Sequence, residues 1–283
     1  MSTTTFHRTV ADIAMTGDAP TTYARLLFPG GRRRALTMSF DDGRTHDRRL
    51  VALFNQHGIR GTFNLNSGHL DRDRYITSAD VKSLFAGHEV AVHTVTHPSL
   101  PKLTDEQVAC EVMEDRVALE RLVGYPVRGM AYPGGGADQR VADLLPRLGI
   151  AYSRLVPGTE RLDPPLGNPW LWNCTCHHDG CLVHGERLLA SEACPALLSV
   201  WGHSYEFEDK GNWDLIERFC ALLGGRHDIW YATNVEVFDY LAAARALHVS
   251  ADGTFIVNAG AEPVWLDFAG RAVAIEPGQV TRP

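Results

Sequence analysis

The chain has 283 residues, of which 45% are hydrophobic and 22% charged, so it is long enough to bury one large α/β core. The net charge of −7 argues against nucleic acid as the main partner, because a phosphate backbone calls for a basic face. The sequence shows neither a secretion signal nor an apolar run long enough for a membrane span, and its six cysteines do not form a disulfide scaffold pattern, so we expect a cytoplasmic protein without a membrane partner.

Strand-like and helix-like segments alternate along most of the chain. Residues 35–40 are apolar and bounded by turn residues, which predicts a strand, and helical spacing over 47–57 ends before Gly58. Thr104 and Gln107 form the capping-box signature of a long helix that reaches about residue 123. Further strands are predicted at 59–65, 88–93, 127–132, 150–153, 170–174, 196–202 and 229–231, and further helices at 78–87, 213–223 and 234–247.

This alternation predicts an α/β fold with a mostly parallel sheet and helices outside it, and eight strands favour a (β/α) barrel over an open sheet. We predict an N-terminal segment, 1–34, that leads into a barrel at 35–250. Short extended runs then predict a small β appendage at 251–283. In such a barrel, reactive residues are expected at the carboxyl ends of the strands.

Two of these strand ends carry potential metal ligands. Asp41 and Asp42 close the first predicted strand, and His93 and His97 follow a later one. On a continuing strand the two histidines would lie roughly 13 Å apart, at about 3.3 Å per residue. They can bind one ion only if the chain turns within residues 94–96. Each pair alone is equally typical of an ordinary surface loop.

Two further strand ends carry groups that suit hydrolysis. The glycine run that follows Tyr132 exposes backbone N–H groups, which can stabilise a developing oxyanion. His203 stands where the strand at 196–202 ends. Taken together, the four strand ends predict a hydrolytic metal centre, which needs three protein ligands and a water.

Four motifs in this order resemble the polysaccharide deacetylase family, also called carbohydrate esterase family 4. They are SFDDG (39–43), HTVTH (93–97), AYPGG (131–135) and SVWGH (199–203), and the resemblance spans roughly 35–247. It implies a distorted (β/α) barrel and a divalent metal, usually Zn²⁺. The roles that it implies are catalytic base for Asp41, metal ligands for Asp42, His93 and His97, an oxyanion-binding N–H for Gly134, and general acid for His203.

The chain departs from the family pattern at two places. Ala131 stands where many members have an arginine that holds the catalytic aspartate, and Arg128 is the arginine nearest to it upstream. Trp172 matches the tryptophan of an aspartate-tryptophan motif, but the aspartate is missing, so we expect His177 or Glu206 to orient His203. Further residues predicted to contact the oxyanion or substrate are Tyr132, Pro133, Gly135, Trp172 and Tyr205.

Cys174, Cys176 and Cys181 cluster beside His177 and His178. Zinc binds thiolates and imidazoles, but the spacing matches no common zinc motif, so we favour core or pocket-wall positions over a second zinc site.

The sequence therefore predicts a metal-dependent hydrolase that removes acetyl groups from an N- or O-acetylated carbohydrate, with a small-molecule or oligosaccharide substrate. Hydrolysis of small cyclic amides or ureides on the same barrel is an alternative. A catalytically inactive carbohydrate-binding relative is another. Two histidines and one carboxylate also occur in non-haem iron oxygenases. The sequence leaves open whether the protein forms a homo-oligomer.

Overall fold

The protein is described here from a computed structural model, which describes residues 13–15 and 22–282. Of the predicted N-terminal segment 1–34, residues 1–12 and 16–21 lie outside the described residues. The expectation about a secretion signal falls mostly on these residues. The strands are β1 (Ile13–Met15), β2 (Thr22–Leu27), β3 (Arg34–Asp41), β4 (Gly61–Leu65), β5 (Glu89–Val92), β6 (Gly129–Ala131), β7 (Tyr152–Leu155), β8 (Trp172–Asn173), β9 (Cys176–His177), β10 (Ala196–Gly202), β11 (Ile229–Tyr231), β12 (Leu247–Val249), β13 (Ile256–Asn258), β14 (Val264–Phe268), β15 (Arg271–Ile275) and β16 (Val280–Thr281).

The helices agree with the longer segments that the sequence predicts. They are α1 (Asp47–His57), α2 (Val81–Leu84), α3 (Asp105–Val123), α4 (Gln139–Leu144), α5 (Cys181–Ala190), α6 (Tyr205–Asp209), α7 (Trp213–Leu223) and α8 (Asn234–Arg245). The predicted capping box is present, because the Thr104 side chain accepts from the Gln107 N–H and the Gln107 side chain accepts in return. None of the helices in the described ranges combines the length and apolar character needed to cross a membrane.

The central sheet is parallel and confirms the predicted α/β barrel class. Its strand order is β8-β7-β6-β5-β4-β3-β10-β9, and β11 pairs with the first half of β3 while β4 pairs with the second half. Every residue of β3 after Arg34 is buried, as expected for a parallel strand covered on both faces. The sheet curls into a half-barrel, which is the distorted (β/α) barrel. The carboxyl ends of β3, β5, β6 and β10 therefore meet at one end of the molecule.

The C-terminal strands do not pack on the barrel alone. β2 pairs antiparallel with β14, so the four-stranded sheet β1-β2-β14-β15 joins N-terminal and C-terminal residues. A second, three-stranded sheet has the order β12-β13-β16. An apolar cluster that includes Leu26, Phe28, Leu197 and Leu266 fills the space between these strands and the barrel. The boundaries at 34 and 250 stay predictions.

Candidate metal centre

Asp42, His93 and His97 converge at the carboxyl end of the sheet. The Nε2 atoms of His93 and His97 each lie 3.6 Å from Oδ1 of Asp42. One ligand atom from each of the three residues lies within 4.8 Å of the others. In a tetrahedral zinc site, ligands at about 2.0–2.1 Å from the ion stand roughly 3.3 Å apart, so this donor set fits a divalent ion after a small contraction.

Left-handed backbone conformations bring the three side chains together. Asp42 has a φ of 80°, Thr94 of 68° and His97 of 60°. Non-glycine residues adopt such values rarely, and they are found mostly where a site requires them. The Thr94 hydroxyl accepts a hydrogen bond from the His97 N–H at 3.1 Å and closes the turn. This is the turn that the histidine spacing required within residues 94–96.

Neighbouring groups fix the orientation of His93. Its Nδ1 lies 2.8 Å from the carbonyl oxygen of Ala131, which leaves Nε2 directed toward Asp42. Asp115, on α3, accepts hydrogen bonds from the N–H groups of His93 at 3.0 Å and Ser67 at 2.6 Å. Burial lowers the pKa of His93 despite the two nearby aspartates. The imidazole is therefore held in the neutral form that binds a metal.

Asp41 is a separate carboxylate beside this centre. It is 2% exposed and ends β3, with Oδ2 4.0 Å from His93 Nε2. Its Oδ1 accepts hydrogen bonds from Arg154 and, at 2.8 Å, from Asn64. Burial alone would raise the pKa of Asp41, but the positive charge of Arg154 and its hydrogen bond to the carboxylate favour the ionised form, and the pKa is lowered. Asp41 is thus an ionised carboxylate next to the candidate metal ligands.

Arg154 holds Asp41, and Arg128, the nearest arginine upstream of Ala131, does not. Arg128 pairs with Asp239 at the surface. Arg154 lies on β7 in register with Ala131 on β6, so the guanidinium comes from the adjacent strand at the same level of the sheet. Its side chain is fully buried, and its Nε also donates to the Ser39 hydroxyl at 3.1 Å. The available signal was an arginine directly after the predicted strand at 150–153.

The Arg154→Met substitution is expected to destabilise the fold by about 3–5 kcal/mol, because it leaves the Asp41 carboxylate buried without its partner. Arg128→Met is the matched control. It removes an exposed pair with Asp239 and should cost at most about 1 kcal/mol. Urea denaturation of the two variants and the wild type measures both. Equal losses in the two variants would contradict the assignment of Arg154.

His203 follows β10 at the same end of the sheet. Its Nδ1 lies 2.6 Å from Oε1 of Glu206, one turn along in α6. His177 Nε2 is 3.6 Å from the same oxygen. Of the two partners expected for His203, Glu206 is therefore the one in hydrogen-bonding contact. The Ser204 hydroxyl donates to Asp47 at 2.5 Å and ties this loop to α1.

Asp47 is a buried carboxyl that the motifs did not reveal. Burial raises its pKa to about 8, and the charges of Asp42 and Asp41 act in the same direction, although the Ser204 hydrogen bond opposes the shift. The Asp47 carboxyl is therefore protonated near neutral pH while Asp41 is ionised. The N-terminal turn of α1 thus adds no negative charge to the centre.

Two predicted substrate contacts are corrected by burial. Trp172 is 4% exposed and packs against Tyr152 and Phe238, with ring centroids 6.1 Å and 5.2 Å away. Tyr132 is fully buried, and its hydroxyl donates to the Trp170 carbonyl at 2.8 Å. Neither ring offers a face to a ligand. Their aromatic character reflects core packing.

The glycine run forms a short 3-10 turn, Pro133–Gly135, directly after β6. Pro133 is buried, whereas a Cβ at Gly134 would meet no atom within 4 Å, so the Gly134 backbone faces open space. A Cβ at Gly135 would lie 2.1 Å from Val156. Gly135 is thus needed for packing, and Gly134 is the glycine free to face a ligand.

Tyr205 does lie at the rim of the centre. Its ring centroid is 5.2 Å from that of His203, and it lines a cavity of about 500 Å³ together with Asp42 and Arg44. The Arg44 guanidinium lies between the rings of Tyr75 and Tyr205, at 4.5 Å and 5.2 Å. Within the described residues, the buried Nε of Arg44 has no hydrogen-bond partner. Arg44 is a further site residue that the motifs did not reveal.

Residues 29–153 match the family model described as polysaccharide deacetylase. The match covers less than half of the chain, and over this region the chain is similar to the polysaccharide deacetylase family. The matched residues include Asp41, Asp42, His93, His97 and Gly134. Arg154, His203 and Glu206 lie beyond them, so the structure and not the family match brings them to the centre.

Curated relatives match a similar share of the chain. A peptidoglycan-N-acetylglucosamine deacetylase of Bacillus cereus is 25% identical over 111 residues, which cover 38% of this chain and 39% of that protein. Chitin deacetylase 1 of Cryptococcus neoformans is 25% identical over 115 residues, covering 40% of this chain and 24% of that protein. The matches therefore span less than half of either relative.

Solved structures share the fold over a longer stretch. A putative polysaccharide deacetylase from Mycobacterium smegmatis is similar with a TM-score of 0.61 and 16% identity, over 77% of this chain and 93% of that one. A carbohydrate esterase family 4 pseudoenzyme from Bacillus anthracis has a TM-score of 0.50 and 13% identity, over 73% and 66% of the two chains. The fold thus occurs in a pseudoenzyme too, and activity has to be argued from the site.

Proposed function

We propose that this chain is a metal-dependent hydrolase that removes acetyl groups from an N- or O-acetylated carbohydrate. The observation that carries the proposal is that two neighbouring aspartates have different environments. Asp42 joins His93 and His97 in one donor set, while Asp41 is held apart, ionised and buried, by Arg154. A protein that only binds carbohydrate needs no such pair, whereas metal-assisted hydrolysis needs both a ligand set and a base.

Asp42, His93 and His97 would hold the ion, and two imidazoles with one carboxylate are a donor set that suits Zn²⁺. When bound, the ion polarises the acetyl carbonyl and acidifies the attacking water. Asp41 takes the proton from that water. The Gly134 N–H donates to the oxyanion that develops on the acetyl carbonyl. His203, oriented by Glu206, donates a proton to the leaving amine or alcohol.

Glu206→Gln is expected to lower kcat by up to about 10²-fold with little change in KM, since a misoriented His203 protonates the leaving group poorly. Steady-state acetate release measures both constants. Glu217→Gln, which affects an exposed pair with Arg49, is the control and should behave as the wild type. An unchanged kcat in Glu206→Gln would show that Glu206 does not orient His203 for catalysis.

Arg44→Ala is expected to raise KM by about tenfold or more, because a hydrogen bond from a charged donor contributes about 1.5–3 kcal/mol. Arg44 lines the cavity next to Asp42, where its side chain would meet a polar group of the substrate. Substrate-saturation curves test this. A change in kcat alone would show that Arg44 acts on the chemistry and not on substrate binding.

Acetate release from a panel of acetylated mono- and oligosaccharides, with small cyclic amides and ureides in parallel, tests the proposed reaction. We expect turnover of at least one acetylated sugar by the zinc-loaded protein. Turnover of ring amides alone would reassign the substrate class. Zinc loading without any turnover, alongside sugar binding, would favour an inactive carbohydrate-binding protein.

A further inference from the structure

A second group of metal-ligating side chains lies beside His203. It consists of His177, which ends β9, the following residues His178 and Asp179, and Glu206 of α6. His178 Nε2 is 3.5 Å from Asp179 Oδ1 and 3.7 Å from Glu206 Oε2. His177 Nε2 is 3.6 Å from Glu206 Oε1. The distances match those between the proposed ligands Asp42, His93 and His97, although the two groups share no residue.

His178 is the independent sign of a ligand here. It is completely buried, and within the described residues neither of its ring nitrogens has a hydrogen-bond partner. Burying a polar group without a hydrogen-bond partner is unfavourable. The ring is held in place, since it stacks on Phe40 at 6.1 Å and contacts Phe207 at 4.3 Å. Its Nε2 faces the carboxylates of Asp179 and Glu206 without forming a hydrogen bond to either of them.

Gly202 makes room for this ring. A Cβ at position 202 would lie 1.9 Å from His178 Nδ1, so any other residue would force the imidazole away. The backbone of β10 thus permits the position of His178 directly before the turn that carries His203. The His178 imidazole is therefore packed into the interior at this end of the barrel.

We propose that His177, His178, Asp179 and Glu206 form a second site for a divalent transition-metal ion of the zinc class. Two imidazole nitrogens and two carboxylate oxygens are donors that zinc accepts, in the number that a closed tetrahedral site requires. Ligand atoms of all four residues lie within 4.8 Å of one another, so small side-chain movements bring them to one ion.

Lys210 is the cation that competes for this site. Its Nζ lies 2.9 and 2.8 Å from the two carboxylate oxygens of Asp179 and 2.8 Å from Glu206 Oε2. The lysine side chain is 41% exposed, so it can move into solvent without uncovering a buried charge. Removing Lys210 leaves the two carboxylates without their cation and should therefore strengthen metal binding.

The neighbouring cysteines do not supply the ligands. Cys174, Cys176 and Cys181 are buried, and the four-residue group contains none of them. Burial raises the pKa of Cys174 and of Cys181 to about 12, which disfavours the thiolate form that binds metal. The core positions favoured for these cysteines in the sequence agree with this burial. The second site is built from imidazoles and carboxylates.

Equilibrium dialysis against Zn²⁺, followed by elemental analysis, tests the proposal in the His97→Ala background, where the first site is disabled. We expect one zinc ion per chain to remain. Adding Asp179→Asn or His178→Gln should weaken this binding about tenfold or more, and adding Lys210→Ala should tighten it. Asp179 is half exposed, so its variant stays interpretable if His178→Gln fails to fold. Thermal unfolding of each variant controls for folding.

The absence of bound zinc from folded His97→Ala protein would overturn the proposal. A zinc affinity that neither the Asp179 nor the His178 substitution changes would overturn it too. Cobalt loading of the same protein adds a spectroscopic readout. A thiolate-to-cobalt charge-transfer band in the near ultraviolet would show that cysteine binds the ion, and would contradict the proposed imidazole and carboxylate ligands. Acetate release takes no part in these measurements, so their outcome is separate from that of the proposed deacetylase activity.

Discussion

Asp41→Asn is expected to keep zinc bound at Asp42, His93 and His97 while lowering kcat by about 10²–10⁴-fold, the usual contribution of a positioned general base. Asparagine has nearly the same shape and cannot accept the proton of the attacking water. Its amide still reaches Asn64 and Arg154, the two groups that hold the native carboxylate. Metal analysis and steady-state acetate release on one preparation separate the two effects.

The Asp41 variant also loses the negative charge that balances buried Arg154, so its unfolding temperature has to be measured and the assay run well below it. Asp163→Asn is the control, because that carboxylate forms an exposed pair with Arg161. Wild-type turnover by the folded Asp41→Asn protein would exclude Asp41 as the base. Loss of its zinc would make Asp41 a metal ligand instead.

His97→Ala is expected to lose the zinc of the proposed catalytic site and, with it, nearly all activity. The remaining ligands, Asp42 and His93, are too few for a stable site, and the ion supplies several kcal/mol of charge stabilisation to the transition state. His97 is partly exposed at 35%, so its removal should leave the fold intact. Elemental analysis should show one zinc ion fewer per chain than in the wild type.

His227→Ala is the matched control for this loss, since His227 is exposed and belongs to neither of the two ligand groups in the described part of the chain. It should keep wild-type zinc and turnover. Full activity in His97→Ala protein that has demonstrably lost the ion would show that the reaction does not depend on this site.

The sequence predicted the barrel strands because each is a short apolar run between turn residues, a local pattern that a buried parallel strand imposes. Residues 35–40 lie within β3, and 196–202 coincide with β10. The convergence of Asp42, His93 and His97 was predictable for a similar reason: the motifs place them at strand ends, where a barrel gathers its reactive groups. The chain turn between His93 and His97 was predicted on the condition that both histidines bind one ion, because a continuing strand would hold them too far apart.

The features that the sequence did not predict depend on contacts between segments that are distant along the chain. Arg154 reaches Asp41 because β7 lies in register with β6, and a pattern within one strand carries no information about register. The pairing of β2 with β14 joins residues far apart in the chain. Trp172 was misplaced because an aromatic residue near a strand end serves the core or a pocket equally well, and only its 4% exposure decides.

The measurement that tests the central claim most directly is acetate release from acetylated sugars by one preparation in three states: as purified, stripped with a chelator, and reloaded with Zn²⁺. We predict that stripping abolishes release and that reloading restores it in the wild type, while reloaded Asp41→Asn stays inactive. Undiminished release by protein shown to be metal-free, or equal release by the reloaded wild type and Asp41→Asn, would contradict the proposed mechanism.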